Sequence, residues 1–186
     1  RINAGQTQFL CQNREGYYNL GYLVSLSYTE GKVDGVPCVN HQLLEKYHSG
    51  LIALSGGMNG EISRHFLAGR LDDARRVAVW YRDVFVDRYY IELQNTGLPE
   101  QTGLNTQLVG LGHELGIPLV ATNDCFYLTP EEAEAQYILW LMGQQRRVTD
   151  DQVPLQSGNQ RYLKSEDEML SAFKELPQAA MENTSI

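Results

Sequence analysis

Residues 116–136 read GIPLVATNDCFYLTPEEAEAQ, and the order of their parts decides the fold. Gly116 ends what precedes, and the apolar residues Leu119, Val120 and Ala121 follow as a short strand. Thr129-Pro130-Glu131-Glu132 then opens a helix, with Thr129 and Glu132 at capping-box spacing and Pro130 at the first helical position. Between strand and helix sits one acidic residue, Asp124.

The same alternation runs back toward the N-terminus. Residues from about Glu100 to Leu115 form a helix, preceded by a strand at Tyr89-Tyr90-Ile91-Glu92-Leu93. Leu71, Ala74, Ala78, Tyr81 and Phe85 make the apolar stripe of another helix, with Asp72 and Asp73 in its first turn, where the dipole favours negative charge. Leu51-Ile52-Ala53-Leu54, bounded by glycines, suits a strand buried on both faces. Asn40 caps a short helix carrying Leu43, Leu44 and Tyr47. Phe9-Leu10-Cys11 is a short apolar run, and Asn13 caps a helix to about Glu30 with Tyr17, Leu20, Leu23, Val24 and Tyr28 on one face. Repeated alternation of strand and helix argues for an α/β fold, a mostly parallel sheet or barrel, in which function gathers at the carboxyl ends of strands.

Composition narrows the function. The 186 residues suit one continuous domain, 42% hydrophobic and 20% charged, with no apolar run near the roughly 20 residues of a membrane helix. Fifteen basic against 23 acidic residues give a net charge of −8, the wrong sign for gripping nucleic-acid phosphates directly. Cys11, Cys38 and Cys125 are odd in number and far apart, which fits buried, reduced thiols in the cytoplasm better than a disulfide framework or zinc knuckle. His41, His48, His65 and His113 fall on helices without HExxH or HxH spacing. The eleven tyrosines follow helix and strand periods, so core packing explains them. Arg1-Ile2-Asn3-Ala4-Gly5 has neither an initiator Met nor a signal pattern, and a helix begins after Pro177 just before the chain stops; both read as cuts within a longer chain.

Three strand ends carry the candidate chemistry: Leu54 to Glu61, Glu92 to Gly97, and Thr122 to Tyr127. Gly56-Gly57-Met58-Asn59-Gly60 could offer backbone N–H groups to phosphate, but its spacing matches no Walker or dinucleotide loop, and a plain strand-to-helix turn is the favoured reading. Glu92, in an apolar strand, must find a partner or face a solvated mouth.

Five blocks, in order, carry a family resemblance: Asn13-Arg14-Glu15-Gly16-Tyr17-Tyr18-Asn19-Leu20, Gly50-Leu51-Ile52-Ala53-Leu54-Ser55-Gly56, Gly97-Leu98-Pro99-Glu100-Gln101, Pro118-Leu119-Val120-Ala121-Thr122-Asn123-Asp124 and Tyr162-Leu163-Lys164-Ser165. They resemble the polymerase-and-histidinol-phosphatase (PHP) domain of bacterial DNA polymerase III alpha subunits. The resemblance spans nearly the whole of 1–186 and implies a partial, distorted PHP-type barrel whose first strands, with a His-x-His pair, precede Arg1.

It also implies a metal cluster, which in intact members activates water to cut phosphodiesters. The family's Asn-Asp-Val-His-Tyr becomes Asn123-Asp124-Cys125-Phe126-Tyr127, so Asp124 is kept and Phe126 replaces a ligand histidine. Cys125 points the other way in an extended strand. Leu-Ser-Gly-Cys becomes Leu54-Ser55-Gly56-Gly57, and Gln6 aligns with a third ligand histidine. The positions Gln6, Gly57, Asp124 and Phe126 therefore read as a vestigial metal site, with no bound cofactor expected here and magnesium expected in the parent polymerase's palm. Asp124 then has a local alternative, bonding backbone N–H groups in the loop that enters the next helix. The partners implied are the remainder of the alpha chain, the proofreading exonuclease subunit, and DNA through other domains, with no membrane. The competing expectation is a metal-dependent phosphoesterase or proofreading exonuclease, rebuilt around Glu92 and Asp124.

Overall fold

The structure, a computed structural model, describes residues 5–147 and 159–185; Arg1 to Ala4 lie outside it. The chain divides into two compact units, 1–92 with 108–119 and 93–107 with 120–186.

The first unit opens with β1 (Gln8–Cys11) and α1 (Arg14–Thr29). Asn13 caps α1 by accepting the Gly16 N–H at 2.9 Å. A hairpin of β2 (Lys32–Val33) and β3 (Val36–Pro37) leads to α2 (His41–Tyr47), where Asn40 accepts the Leu43 N–H. The strand β4 (Leu51–Leu54) follows, then α3 (Glu61–Leu67) packed on α4 (Leu71–Phe85). Next come β5 (Tyr89–Gln94), α5 (Pro99–Leu115) and β6 (Leu119–Thr122), each contributing residues to both units. The second unit adds α6 (Ala133–Gly143), α7 (Glu166–Ala172) and α8 (Gln178–Glu182).

The strand order is β1-β4-β5-β6. Leu51, Ala53, Tyr89 and Ile91 are fully buried, as expected of strands covered on both faces. The expected stripe of α4 is likewise buried at Ala74, Ala78, Tyr81 and Phe85, while Leu71 in the first turn is exposed.

The sheet is parallel where β4 meets β5, as expected, and departs from that at its edge strand β1. β4 and β5 are parallel, with Ala53 opposite Tyr89, but β1 runs antiparallel to β4, with Gln8 opposite Leu54. The connection explains this: α1 and α2 pack on one another and return the chain to the end of β1 that it left, where the Gln12 N–H meets the Gly50 carbonyl at 2.9 Å. A single crossover helix would have given the parallel arrangement.

The inward face of α1 also differs. Gly16, Leu23 and Ser27 are buried, whereas Tyr17 is 68% and Tyr28 is 60% exposed. A Cβ on Gly16 would collide with the Gly50 carbonyl, so the helix approaches through its smallest residue, and that contact fixes its rotation. The aromatic residues are thus only partly core: Tyr81, Phe85 and Tyr89 are buried, while Tyr17, Tyr18, Tyr22 and Tyr28 face outward. Cys11 and Cys125 are exposed and Cys38 is half-buried, against the expectation of buried thiols. Among the described residues no helix is long and apolar enough to cross a membrane.

Candidate functional site

The end of β4 turns sharply into α3. Gly56 and Gly57 both take positive φ, +83° and +54°, and a single 3-10 turn at Gly57–Asn59 precedes the helix. A Cβ on Gly56 would strike the Gln6 carbonyl, because Gln6 lies alongside this turn, its N–H on the Asn59 carbonyl at 2.8 Å and its backbone bridged to Gly60. Two of the four suspected positions, Gln6 and Gly57, are therefore neighbours on one turn.

Glu92 closes the floor of the same turn. It is fully buried, and its Oε2 accepts the Gly56 N–H at 3.0 Å, while its own N–H donates to Ser55 Oγ at 2.9 Å. The glycine turn supplies one of the partners that its sequence context demanded. The bond gives the buried carboxylate a backbone donor and commits the Gly56 N–H to it.

In the second unit, Asp124 and Phe126 meet Arg161. The guanidinium Nη2 lies 3.5 Å from Asp124 Oδ2, and its carbon sits 5.2 Å from the centre of the Phe126 ring. The backbones are joined: the Phe126 N–H donates to the Arg161 carbonyl at 2.8 Å, and Tyr127 bridges to Tyr162. Asn123 Nδ2 donates to the Tyr162 carbonyl at 2.6 Å. The helix-entry role expected of Asp124 falls instead to Glu132, whose Oε2 accepts the N–H groups of Leu128 and Thr129 at 2.8 and 3.1 Å.

Arg161 was not among the residues singled out from the sequence. A lone arginine 35 positions after Phe126 carries no local signal; only the pairing of the two segments brings its charge to Asp124.

A third cluster also escaped sequence reasoning. His41 Nε2 lies 3.1 Å from Glu61 Oε2, the Tyr81 hydroxyl donates to the same oxygen at 3.4 Å, and Thr7 Oγ1 is 3.1 Å from that hydroxyl. The His41 ring stacks on Trp80 at 3.9 Å. The Glu61 hydrogen bond raises the His41 pKa above its ordinary 6.5, against the opposing effect of burial. Burial raises that of Tyr81, so its hydroxyl remains a donor at any ordinary pH. His48 moves the other way, lowered by burial and by the facing Arg88.

As metal donors these residues fit poorly. Glycine offers no side chain, a phenyl ring has no lone pair, and the carboxylate of Asp124 already faces a guanidinium. Among the described residues, no three His, Cys, Asp or Glu side chains converge so as to hold a metal ion.

The alternating strands and helices form a mixed α/β fold, and comparison with known proteins supplies the family. A family model described as the PHP domain matches residues 2–96, half of the chain, and the chain belongs to the PHP domain family. Its relatives include proteins named DNA polymerase III subunit alpha. One, from Borreliella burgdorferi, is 40% identical over 175 residues, covering 94% of this chain and 15% of its own length. Another, from Deinococcus radiodurans, is 39% identical over 164 residues, covering 88% of this chain and 12% of its own. A third, from Vibrio cholerae, is 32% identical over 177 residues, 95% of this chain and 15% of its own. The chain thus spans between 12 and 15% of the length of these curated relatives.

Proposed function

We propose that residues 1–186 are the PHP domain of a bacterial replicative DNA polymerase III alpha subunit, retained as scaffold with a vestigial metal site. The parent would be a DNA-directed DNA polymerase, a nucleotidyltransferase of the cytoplasm, extending primers with magnesium in a palm domain elsewhere in its chain. The PHP unit would stabilise that polymerase and offer a docking surface to a separate proofreading exonuclease subunit.

The observation that carries the reading is the Asp124–Arg161–Phe126 contact. Where metal-binding members of the family carry an imidazole, this chain has a phenyl face under a guanidinium, and the kept carboxylate is paired with that fixed positive charge. A dication would meet like charge and lack donors there, since tetrahedral and hard-cation sites need about four to six.

Metal analysis of the full-length alpha chain tests this. Trace metal, not saturable at the PHP domain on titration with zinc or manganese, is the expected result. A tightly held, stoichiometric cluster in that domain, with nuclease activity lost on Asp124→Asn, would sink the scaffold reading in favour of a metal-dependent exonuclease.

A further inference from the structure

The helix α6, AEAQYILWLMG, has a single charged residue, Glu134. Only Ala133 and Leu141 along it are buried. Ile138 is 38% exposed, Leu139 62%, Trp140 36% and Met142 68%. On a helix, Met142 stands four residues from Ile138 and three from Leu139, so these three side chains share one face, while Trp140 projects from a different side.

A helix facing water looks different in this same chain: α4 buries Ala74, Ala78, Tyr81 and Phe85 and carries Asp72, Asp73, Arg75, Arg76, Arg82 and Asp83 on its other side. A helix that is apolar all round belongs in an interior or an interface, and contiguous exposed apolar side chains mark a contact surface. Methionine is also among the residues enriched at the centres of such contacts, and charge is depleted there.

We infer that the Ile138, Leu139 and Met142 face of α6 is covered by another part of the same polymerase chain, through an apolar, uncharged surface of that part. The length outside the matched stretch points to this occupant: the relatives are matched over only 12 to 15% of their own length, so most of such a chain is available to pack here. The inference rests on the reading of residues 1–186 as part of a longer alpha chain. It adds the face through which the PHP unit is tied to the remainder.

The test uses the full-length alpha chain and the chemistry of Met142. Peroxide converts an exposed methionine to its sulfoxide, and mass spectrometry of the peptide carrying Met142 reads the rate. The expected result is oxidation at least about tenfold slower than in the same peptide free in solution. That protection should be unchanged on dilution to concentrations at which the chain sediments as a monomer. Leu139→Glu should lower the melting temperature of the full chain and speed Met142 oxidation toward the free-peptide rate. Oxidation of the wild type at the free-peptide rate would overturn the inference. So would protection that fades on dilution, which would assign the face to a second copy, or a Leu139→Glu variant that leaves melting and protection unaltered. None of these readouts depends on metal content, so the vestigial-site reading and the α6 contact can fail separately.

Discussion

His41 sits between a carboxylate and an indole, with Glu61 at 3.1 Å on its Nε2 and Trp80 stacked at 3.9 Å. Glu45, in the same helix, adds a second negative charge, and the Tyr81 ring packs edge-on. Because the folded-state pKa is raised, the protonated ring is the form that favours folding. Its contribution is fully present below the unfolded value of 6.5 and is lost as pH rises through the raised folded value. His41→Phe keeps a ring on Trp80 and removes the charge. The wild type should therefore melt above this variant by a larger margin near pH 6 than near about pH 8.5. An equal margin at both would show that the ring, not the charge, is what Glu61 holds. At this scale the sequence was legible only where a motif had an expected member. Phe126 and Gly57 stood out because the residues around them match the family's pattern, whereas Arg161, Glu61 and His41 have no such frame. Their meaning arises from pairings across 20 to 37 positions, which no local spacing encodes.

At the scale of elements, caps and stripes were readable because they are local: Asn13, Asn40 and the Thr129–Glu132 box all lie where their spacing put them. Which way a helix faces was not, since for α1 it is decided by the approach of Gly16 to Gly50, 34 residues away in the chain. The orientation of β1 was equally hidden, depending on whether one helix or two connect it to β4. Two glycine substitutions separate these influences. Gly56→Ala places a methyl group against the Gln6 carbonyl on a residue with φ of +83°, and should cost about 2 kcal/mol or more. Gly21→Ala, within α1 and with open space around its Cβ position, should stabilise by about 0.5–1 kcal/mol. Urea denaturation of both variants checks the pair, and a neutral Gly56→Ala would mean that the β4 turn relaxes freely.

At the scale of the whole molecule, the net charge of −8 was legible from the start and makes a direct prediction. In a filter-binding assay at about 150 mM salt, residues 1–186 should retain no duplex DNA, since non-specific affinity comes from cations displaced by Lys and Arg contacts. Retention that falls steeply with salt would reveal a basic surface strong enough to defeat the overall charge. The alternation of strands and helices, also readable in advance, did not disclose the division into two units. The chain passes between them three times, at 92/93, 107/108 and 119/120, within or beside β5, α5 and β6. No single cut in the gene releases either unit as an unbroken stretch. For recombination, then, the two are one cassette: a crossover anywhere between codons 92 and 120 hands the recipient part of each, so they can be exchanged between related PHP chains only together.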